Sequence, residues 1–285
     1  HVTVNRRFDN KIRVAYSKLE LVDNFEDLEH ELVREAMRIT NITSGVEITT
    51  IADIPSKGTG LGSSSSVTVG LLNALHAFAG NNPSAKQLAE EACMIELDIL
   101  NQPIGRQDQY AAAFGGVNSI SFFENEIIVR PLNLPDTTIN KIKDEFTLVF
   151  TGISRSASKI LSESPSNHKE KISRLRKIRI QANKSKELLE EGDLNSLGKL
   201  LSETWEQKRG ISTSVTSNEL DKIYSKIIKL GATGAKLLGA GGGGFFLVHG
   251  DKNLREVLID KFPSTKIIPL NMDFTGSTII HNSLL

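Results

Sequence analysis

The stretch TGLGSSSSV, Thr59 to Val67, decides how the rest of the sequence is interpreted. It follows an alternating segment, Val46, Ile48 and Thr50, that predicts a β-strand. Beyond it, apolar residues recur at helical spacing as far as Phe78. We therefore predict a glycine-rich loop that leads from a strand into a helix.

Phosphate binding is the chemistry that this loop favours. Gly58, Gly60 and Gly62 allow the backbone to take positive φ values and to approach a ligand closely. The first turn of a helix has N–H groups without helical partners and carries the positive end of the helix dipole, so it stabilises an anion. The hydroxyls of Ser63 to Ser66 are able to bind phosphate oxygens or a hard cation such as Mg²⁺.

The spacing of this loop differs from that of two familiar nucleotide-binding loops. A Walker loop has Lys and then Ser or Thr directly after its last glycine, whereas Lys57 precedes these glycines and Ser63 follows Gly62 directly. A dinucleotide-binding loop has the spacing G-x-G-x-x-G, which also differs. A serine-capped helix start without any ligand stays open as an alternative, since serine and glycine are common in caps and turns.

Length and composition limit the class of protein. The 285 residues suffice for two domains, and the 34 basic and 34 acidic side chains give no net charge that would favour a nucleic acid or a membrane as partner. The single cysteine, Cys93, excludes an internal disulfide, and no apolar run is long enough to span a bilayer. We predict a cytoplasmic location and a ligand that local sites select.

Periodicity and turn residues predict the remaining elements. We expect helices at residues 29–40, 84–99, 168–191 and 197–208, and a further helix that Thr216 caps and Gly231 ends. We expect strands at residues 119–123 and 127–131, which form a hairpin, and at residues 146–150 and 245–248.

A second glycine-rich stretch, Gly239 to Gly244, leads into the last of these strands. Consecutive glycines lose much backbone entropy on folding and supply no packing, so we expect a ligand or another part of the backbone to approach them closely. A flexible linker is the alternative. The carboxylates of Glu96 and Asp108, added to the first loop and its serines, supply what phosphoryl transfer needs: positioning, charge neutralisation and a base for the accepting hydroxyl.

The two glycine-rich stretches resemble the paired signatures of the GHMP kinases, the family of galactokinase, homoserine kinase and mevalonate kinase. TGLGSSSSV and GAGGGGFFLV agree with that family in order and separation. IGRQDQYAAAFGGVN, FTGISRSASKIL and WEQKRGIS are similar to the branch of sugar-1-kinases that holds D-glycero-D-manno-heptose 7-phosphate kinase and L-fucokinase. The resemblance implies an α+β fold of two domains: an ATP-binding domain like the second domain of ribosomal protein S5 at 1–143, and a ferredoxin-like domain at 144–285.

The resemblance also implies roles for individual residues. Asp108 would accept or orient the proton of the substrate hydroxyl, and Ser64 and Glu96 would hold Mg²⁺. ATP would bind at Gly58, Gly60, Leu61, Gly62, Ser63, Ser64 and Ser65. The sugar phosphate would bind at Thr151, Gly152, Arg155, Ser156, Gly241, Gly242 and Gly243. Arg155 is the candidate for the phosphate of the sugar, with a structural ion pair as its alternative role.

The implied reaction is ATP-dependent phosphorylation of the anomeric hydroxyl of a heptose 7-phosphate to the 1,7-bisphosphate, which supplies nucleotide-activated heptose for bacterial surface polysaccharide. The alternatives are another sugar-1-kinase of the L-fucokinase or galactokinase type, and a sensor of the same fold that binds sugar and nucleotide without turnover. Members of this branch also have an early strand with a GGGTD-like segment. This sequence does not contain it, and its start within a predicted strand leads us to expect that residues precede His1.

Overall fold

The computed structural model describes residues 1–54, 58–154 and 168–283. Within them the strands are β1 (Val2–Arg6), β2 (Ile12–Ala15), β3 (Leu19–Val22), β4 (Val46–Thr50), β5 (Asn118–Phe122), β6 (Ile127–Pro131), β7 (Phe146–Phe150), β8 (Gly234–Leu237), β9 (Phe245–His249) and β10 (Ile267–Pro269). The helices are α1 (Glu31–Ile39), α2 (Ser63–Phe78), α3 (Ala85–Cys93), α4 (Gln107–Phe114), α5 (Asp136–Glu145), α6 (His168–Glu191), α7 (Leu194–Arg209), α8 (Asn218–Lys229) and α9 (Leu254–Lys261).

The described residues form two units according to their internal contacts. The first lies within His1–Ser56, Gly62–Val129 and Asp273–Leu285, and the second within Lys57–Leu61 and Arg130–Met272. Both units combine helices with a β-sheet, as an α+β fold requires. None of the helices in the described part of the chain is long and apolar enough to cross a bilayer.

A four-stranded sheet in the order β1-β4-β2-β3 is the base of the first unit. Strand β4 pairs antiparallel with β1 and parallel with β2, and β2 pairs antiparallel with β3. Alternate residues of the two central strands are fully buried, namely Ile12, Val14, Val46 and Ile48, and they face a core that α1, α2 and α3 complete. The strand predicted from the alternation of Val46, Ile48 and Thr50 is confirmed and ends at Thr50.

Helix α1 begins two residues later than the predicted helix at residues 29–40. His30 is its N-cap, because His30 Nδ1 accepts a hydrogen bond from the N–H of Val33 at 3.4 Å. The N–H groups of Glu29 and His30 instead donate to the carboxylate of Glu20, at 2.6 and 3.1 Å. These bonds to β3 hold residues 29 and 30 outside the helix.

Helix α8 begins one residue later than predicted, because its N-cap is the residue after Thr216. Ser217 is the N-cap, and its Oγ accepts a hydrogen bond from the N–H of Leu220 at 3.3 Å. Thr216 Oγ1 donates instead to the Asp221 carboxylate at 2.8 Å. The prediction of Thr216 as the cap was therefore wrong, because neighbouring hydroxyl residues compete for the same helix end.

The second unit contains an antiparallel sheet in the order β10-β7-β9-β8. The central residues of its core are Val149, Trp205, Leu220, Ile227, Phe246 and Leu258, which β7, α7, α8, β9 and α9 supply. Helix α7 also covers the outer edge of β8, where the N–H of Ala235 donates to Ser202 Oγ at 3.0 Å. The strands predicted at 146–150 and 245–248 and the helix at 168–191 are confirmed.

The last described residues, 273–283, belong to the first unit. The N–H of Gly116 donates to the carbonyl oxygen of Asp273 at 2.6 Å, and Asn73 Nδ2 donates to the carbonyl oxygen of Ser277 at 3.1 Å. Gly115 and Gly276 meet backbone to backbone, so closely that a Cβ atom on either glycine would overlap the other segment. This C-terminal segment therefore covers the end of α4.

The predicted domain division at residues 143 and 144 remains a prediction. The units defined by contacts differ from it in three ways, because residues 58–61 and α5 belong to the second unit and residues 273–283 belong to the first. These differences arise from contacts between residues far apart in the chain, which hydrophobic periodicity does not predict.

Candidate active site

The loop before α2 has the backbone conformation that its glycines predict. Gly58, Gly60 and Gly62 have φ values of 75°, 74° and 68°. Gly62 is the N-cap of α2, and it supplies no side-chain cap to the N–H groups of the first turn. Gly62, and not a serine, is therefore the N-cap of this helix. An anion at this end of α2 would meet backbone donors and the positive end of the helix dipole.

The four serines that open α2 differ in their surroundings. Ser65 is buried, Ser63 and Ser64 are half-buried, and Ser66 is exposed. The hydroxyls of Ser65 and Ser64 lie close enough to the carboxyl group of Glu96 to lower its pKa. Two of the serines thus face an acidic group in the first unit, where they are able to contribute to a cation site.

A π-helical turn, Met94–Ile99, carries Glu96 into the core of the first unit. The N–H of Leu100 donates to the carbonyl oxygen of Ile95, five residues earlier, at 2.9 Å. This wider turn replaces the last part of the helix predicted at residues 84–99, and Glu96 is 0% exposed. Single π-helical turns within helices are frequent at functional sites.

The carboxyl group of Glu96 is held in an unusual environment. Burial raises its pKa above the ordinary value, and the negative charge of Asp108 acts in the same direction. Ser65, Gln109 and Ser64 oppose this effect. Gln109 Nε2 donates to Glu96 Oε2 at 2.6 Å, whereas Glu96 Oε1 is buried with no hydrogen-bond partner in the described residues.

Gln109 is the buried partner of Glu96, and the sequence analysis did not predict it. It is 0% exposed and lies in the first turn of α4, next to Asp108. A signal was present, because Gln109 shares the buried face of α4 with Tyr110 and Ala113. A polar side chain on the buried face of a helix requires a partner, and here the partner is Glu96.

Asp108 lies beside the cap of α2. A Cβ atom built on Gly62 would be 3.2 Å from Asp108 Cγ and 3.3 Å from its Oδ2. Gln107 Nε2 donates to Asp108 Oδ1 at 3.2 Å. The predicted base, the predicted phosphate-binding helix end and the predicted metal ligand Glu96 are therefore grouped within one unit.

The oxygen atoms of Glu96 and Ser64 are suitable ligands for Mg²⁺ that is bound together with a nucleotide. Glu96 Oε1 is buried and has no hydrogen-bond partner in the described residues. The Ser64 hydroxyl is close to the carboxyl group of Glu96. Across residues 1–54, 58–154 and 168–283, no three His, Cys, Asp or Glu side chains are grouped as metal ligands. Mg²⁺ suits such a site, because it usually takes one or two carboxylates and completes its shell with water and phosphate oxygens.

The second glycine-rich stretch packs closely against other backbone segments of the second unit. A Cβ atom on Gly239 would be 2.5 Å from Gly60 Cα, and one on Gly243 would be 2.5 Å from the carbonyl oxygen of Ile153. A Cβ atom on Gly244 would overlap the carbonyl oxygen of Thr59. The expected close approach is therefore confirmed as an approach by backbone, and the linker alternative is wrong.

Hydrogen bonds hold the same stretch on both sides. The N–H groups of Gly242 and Gly244 donate to the carbonyl oxygens of Val215 and Ile153, each at 2.8 Å. Lys208 Nζ donates to the carbonyl oxygens of Leu237, at 3.4 Å, and of Gly239. The loop that contains Thr59 and Gly60 therefore rests on a glycine-rich segment whose own position is fixed.

The residues predicted to bind the sugar are only partly described. Thr151 is buried, and its Oγ1 donates to the carbonyl oxygen of Gly244 at 2.9 Å and accepts the N–H of Ile153 at 3.2 Å. Gly152 has a φ of 76°, and a Cβ atom there would meet nothing within 4 Å. Arg155 and Ser156 lie outside the described residues. The hydroxyl of Thr151 is thus engaged with the glycine-rich stretch.

Comparison with known proteins identifies the family. The model of the GHMP kinases N terminal domain matches residues 18–116, and the model of the GHMP kinases C terminal domain matches residues 185–266. Each of the two glycine-rich stretches lies within one of these matches.

Individual relatives agree with this result. The chain is 31% identical to the D-glycero-alpha-D-manno-heptose 7-phosphate kinase of Campylobacter jejuni, over 91% of this chain and 80% of that protein. It is 29% identical to the L-fucokinase/L-fucose-1-P guanylyltransferase of Bacteroides fragilis, over 80% of this chain and 25% of that protein. Its fold is similar to the crystal structure of a D-glycero-D-manno-heptose 1-phosphate kinase from Bacteroides thetaiotaomicron, with a TM-score of 0.78, 24% identity and coverage of 96% of this chain and 84% of the other.

The predicted fold, activity and nucleotide are thereby confirmed, and the alternative of a sensor without turnover is set aside. The chain belongs to the GHMP kinase family and is an ATP-dependent phosphotransferase that acts on a sugar hydroxyl.

Proposed function

We propose that the protein transfers the γ-phosphoryl group of ATP to the anomeric hydroxyl of D-glycero-D-manno-heptose 7-phosphate and forms the 1,7-bisphosphate. The observation that carries the proposal is the grouping of Asp108 with Gly62 and Glu96 at the start of α2. The 31% identity to the heptose 7-phosphate kinase of C. jejuni supports the choice of sugar.

ATP binding is assigned to the first glycine-rich loop and the start of α2. The assigned residues are Gly58, Gly60, Leu61, Gly62, Ser63, Ser64 and Ser65. Backbone N–H groups at the uncapped start of α2 would bind the phosphate oxygens, and the serine hydroxyls would add further hydrogen bonds. The positive φ values of the glycines support this assignment, because they let the backbone come close to the phosphates.

Magnesium is assigned to Ser64 and Glu96. Glu96 would offer its Oε1, the buried oxygen that has no hydrogen-bond partner in the described residues. When bound, Mg²⁺ neutralises charge on the β- and γ-phosphates. A carboxylate held in place before the metal arrives has little freedom to lose on binding.

Asp108 is assigned the role of base. In the proposed reaction the anomeric oxygen attacks the γ-phosphorus in line with the oxygen that leaves with ADP. A bond forms from the sugar oxygen to phosphorus, the bond from phosphorus to the ADP oxygen breaks, and the hydroxyl proton passes to the Asp108 carboxylate. The closeness of Asp108 to the cap of α2 supports this role, since a base must lie near the phosphoryl group that its substrate attacks.

The sugar end of the substrate is assigned to a separate set of residues. They are Thr151, Gly152, Arg155, Ser156, Gly241, Gly242 and Gly243. Arg155 would bind the 7-phosphate, because a guanidinium group forms paired hydrogen bonds with phosphate oxygens. A structural ion pair is the alternative role for Arg155.

The runner-up function is phosphorylation of another sugar, of the L-fucokinase or galactokinase type, with the same machinery. The similarity to the kinase of B. fragilis supports it. The proposal also keeps the predicted role in bacterial surface polysaccharide and the cytoplasmic location, which suits a protein with a single cysteine.

A panel of acceptors tests the proposal. The full chain is incubated with ATP, Mg²⁺ and, in turn, heptose 7-phosphate, heptose, L-fucose and galactose, and ADP release and the phosphorus NMR spectrum of the product are measured. The proposal expects the highest kcat/KM with heptose 7-phosphate and a new anomeric phosphate signal. A higher kcat/KM with a neutral sugar would select the runner-up. Arg155→Met distinguishes a heptose 7-phosphate kinase from a kinase of a neutral sugar. It should raise KM for heptose 7-phosphate and leave KM for a neutral sugar unchanged.

A further inference from the structure

Two buried side chains, Glu96 and Gln109, form a hydrogen-bonded pair, and the proposed function gives Gln109 no role. Both are 0% exposed, and Gln109 Nε2 lies 2.6 Å from Glu96 Oε2. Glu96 Oε1 and Gln109 Oε1 are both buried without a hydrogen-bond partner in the part of the chain that the structure describes. Buried polar atoms without partners carry a desolvation cost, so their persistence needs a physical reason.

We propose that Gln109 is a positioning residue that fixes the Glu96 carboxylate, so that Oε2 is occupied by the amide and Oε1 is the oxygen presented to the metal of the nucleotide complex. This proposal rests on the metal role given to Glu96 under the proposed function. Gln109 touches neither the metal nor ATP in this assignment, and it acts only through Glu96.

The orientation of the amide follows from its chemistry. Glu96 in its charged form only accepts hydrogen bonds, so the group that lies 2.6 Å from its Oε2 must donate. A flipped amide would set the carbonyl oxygen of Gln109 against the carboxylate and would repel it. Gln109 Nε2 therefore faces Glu96, and the amide holds the carboxyl plane in one orientation.

A neutral donor suits this position better than a charged one. A lysine or arginine would neutralise the carboxylate and compete with a cation for it. An aspartate or glutamate would repel it or take up a shared proton. An amide orients the carboxylate and leaves its negative charge free to bind a cation. Residues that hydrogen-bond to metal ligands commonly have this function.

Helix α4 gives this pair its position relative to the base. Asp108 and Gln109 are consecutive in the first turn of α4, and they point to different neighbours: Asp108 packs by Gly62, and Gln109 bonds to Glu96. One short helix thus sets both the candidate base and the orientation of the candidate metal ligand. The proposal explains why a polar side chain persists on the buried face of this helix.

ATP binding measured by calorimetry over a series of Mg²⁺ concentrations tests the proposal. The primary variant is Gln109→Met, which keeps the length of the side chain and removes the amide. The expected result is a rise of about 10- to 100-fold in the Mg²⁺ concentration that gives half of the metal-dependent gain in ATP affinity. Affinity for ATP without Mg²⁺ should stay at the wild-type value. Unchanged Mg²⁺ dependence in a folded Gln109→Met protein would overturn the proposal.

Two further variants keep the result interpretable. Gln181→Leu is the matched control, because Gln181 also has a buried Oε1 without a partner in the described residues but lies in α6 of the second unit. It should leave Mg²⁺ dependence unchanged. If Gln109→Met fails to unfold cooperatively on heating, Gln109→Asn takes its place, since it keeps the amide but is too short to reach Glu96.

Glu96→Gln distinguishes failure of this proposal from failure of the metal assignment. If Glu96→Gln abolishes the effect of Mg²⁺ on ATP binding and Gln109→Met does not change it, the metal assignment stands and the role of Gln109 is refuted. If Glu96→Gln also leaves the effect of Mg²⁺ unchanged, the metal assignment fails, and the role of Gln109 fails with it. Neither result depends on which sugar is phosphorylated.

Discussion

The Asp108 carboxyl group packs against the backbone of Gly62, with no room for a side chain between them. A Cβ atom at residue 62 would lie 3.2 Å from Asp108 Cγ, and Gly62 has a φ of 68°, which side chains rarely tolerate. The helix end assigned to phosphate and the carboxylate assigned to the substrate proton are thus direct neighbours, and a side chain at residue 62 would crowd Asp108.

Gly62→Ala should lower kcat by about 10- to 100-fold, because small displacements of reacting groups have effects of this size. The added methyl group would push Asp108 away and would strain the start of α2. Steady-state kinetics at saturating ATP measure the effect. Gly80→Ala is the control, since Gly80 has a φ of 82° and no atom within 4 Å of a Cβ atom at that position. Equal loss of kcat in both variants would show that backbone strain, and not the Asp108 contact, is responsible.

Asp108→Asn should lower kcat by about 10²- to 10⁴-fold, the usual contribution of a general base. Asparagine keeps the shape of the side chain and cannot accept the proton, so the affinity for ATP should stay the same. Single-turnover transfer and calorimetric ATP binding measure the two properties. Asp98→Asn, at an exposed residue of the π-helical turn, should change neither. Wild-type kcat in Asp108→Asn would remove Asp108 from the role of base.

Gly244→Ala should lower the free energy of unfolding by about 1–3 kcal/mol through overpacking, in addition to about 1 kcal/mol of backbone strain. The added Cβ atom would overlap the carbonyl oxygen of Thr59, and Gly244 has a φ of 95°. Urea unfolding measures the change. Gly231→Ala is the matched control, because Gly231 has a φ of 106° and open space around it, so only the strain should remain. Similar losses in both variants would contradict the importance of the contact with Thr59.

His249 should make stability fall as the solution becomes acidic. Its side chain is buried, and burial lowers its pKa below the ordinary 6.5, against an opposing effect of Glu145, whose Oε2 lies 3.2 Å from His249 Nε2. The unfolded chain therefore binds a proton below about pH 6.5 that the folded chain does not bind, so the free energy of unfolding decreases as pH falls, by at most about 1.4 kcal/mol per pH unit.

Urea unfolding between pH 7.5 and pH 5 checks this dependence. His249→Gln should flatten the slope in this range, because the titrating group is gone. Glu145→Gln should lower the pKa of His249 further and so extend the loss of stability to lower pH. A slope in His249→Gln that equals the wild-type slope would assign the pH dependence to other groups.

Most of the secondary structure could be predicted because it depends on local patterns. The alternation of Val46 and Ile48 and the helical periodicity after Val67 belong to residues that are neighbours in sequence, and the structure contains both elements. The residue type of Gly58, Gly60 and Gly62 allowed positive φ values, and all three glycines have them. Errors occurred at helix ends such as His30 and Ser217, where hydrogen bonds to side chains decide the boundary.

The candidate site was predictable only in part. Glu96 and Asp108 were predicted as carboxylates that follow the loop in sequence, and their roles came from the family resemblance. Gln109 was missed because its partner Glu96 is thirteen residues away, and only the folded chain brings the two side chains together. The hydrogen bond from Thr151 Oγ1 to the carbonyl oxygen of Gly244 could not be predicted either, since it joins residues 93 positions apart. Local patterns register neither contact.

The C-terminal segment at residues 273–283 has a consequence for synthesis. Asp273 and Ser277 bond to Gly116 and Asn73, so the end of α4 acquires its cover only after the ribosome has passed these residues. Domains of a nascent chain generally fold from the N-terminus onward. The segment that covers the end of α4 is thus made long after the helix itself, so the contacts at this helix end form only once residues 273–277 have emerged, and a fragment that stops at residue 143 would leave that helix end uncovered.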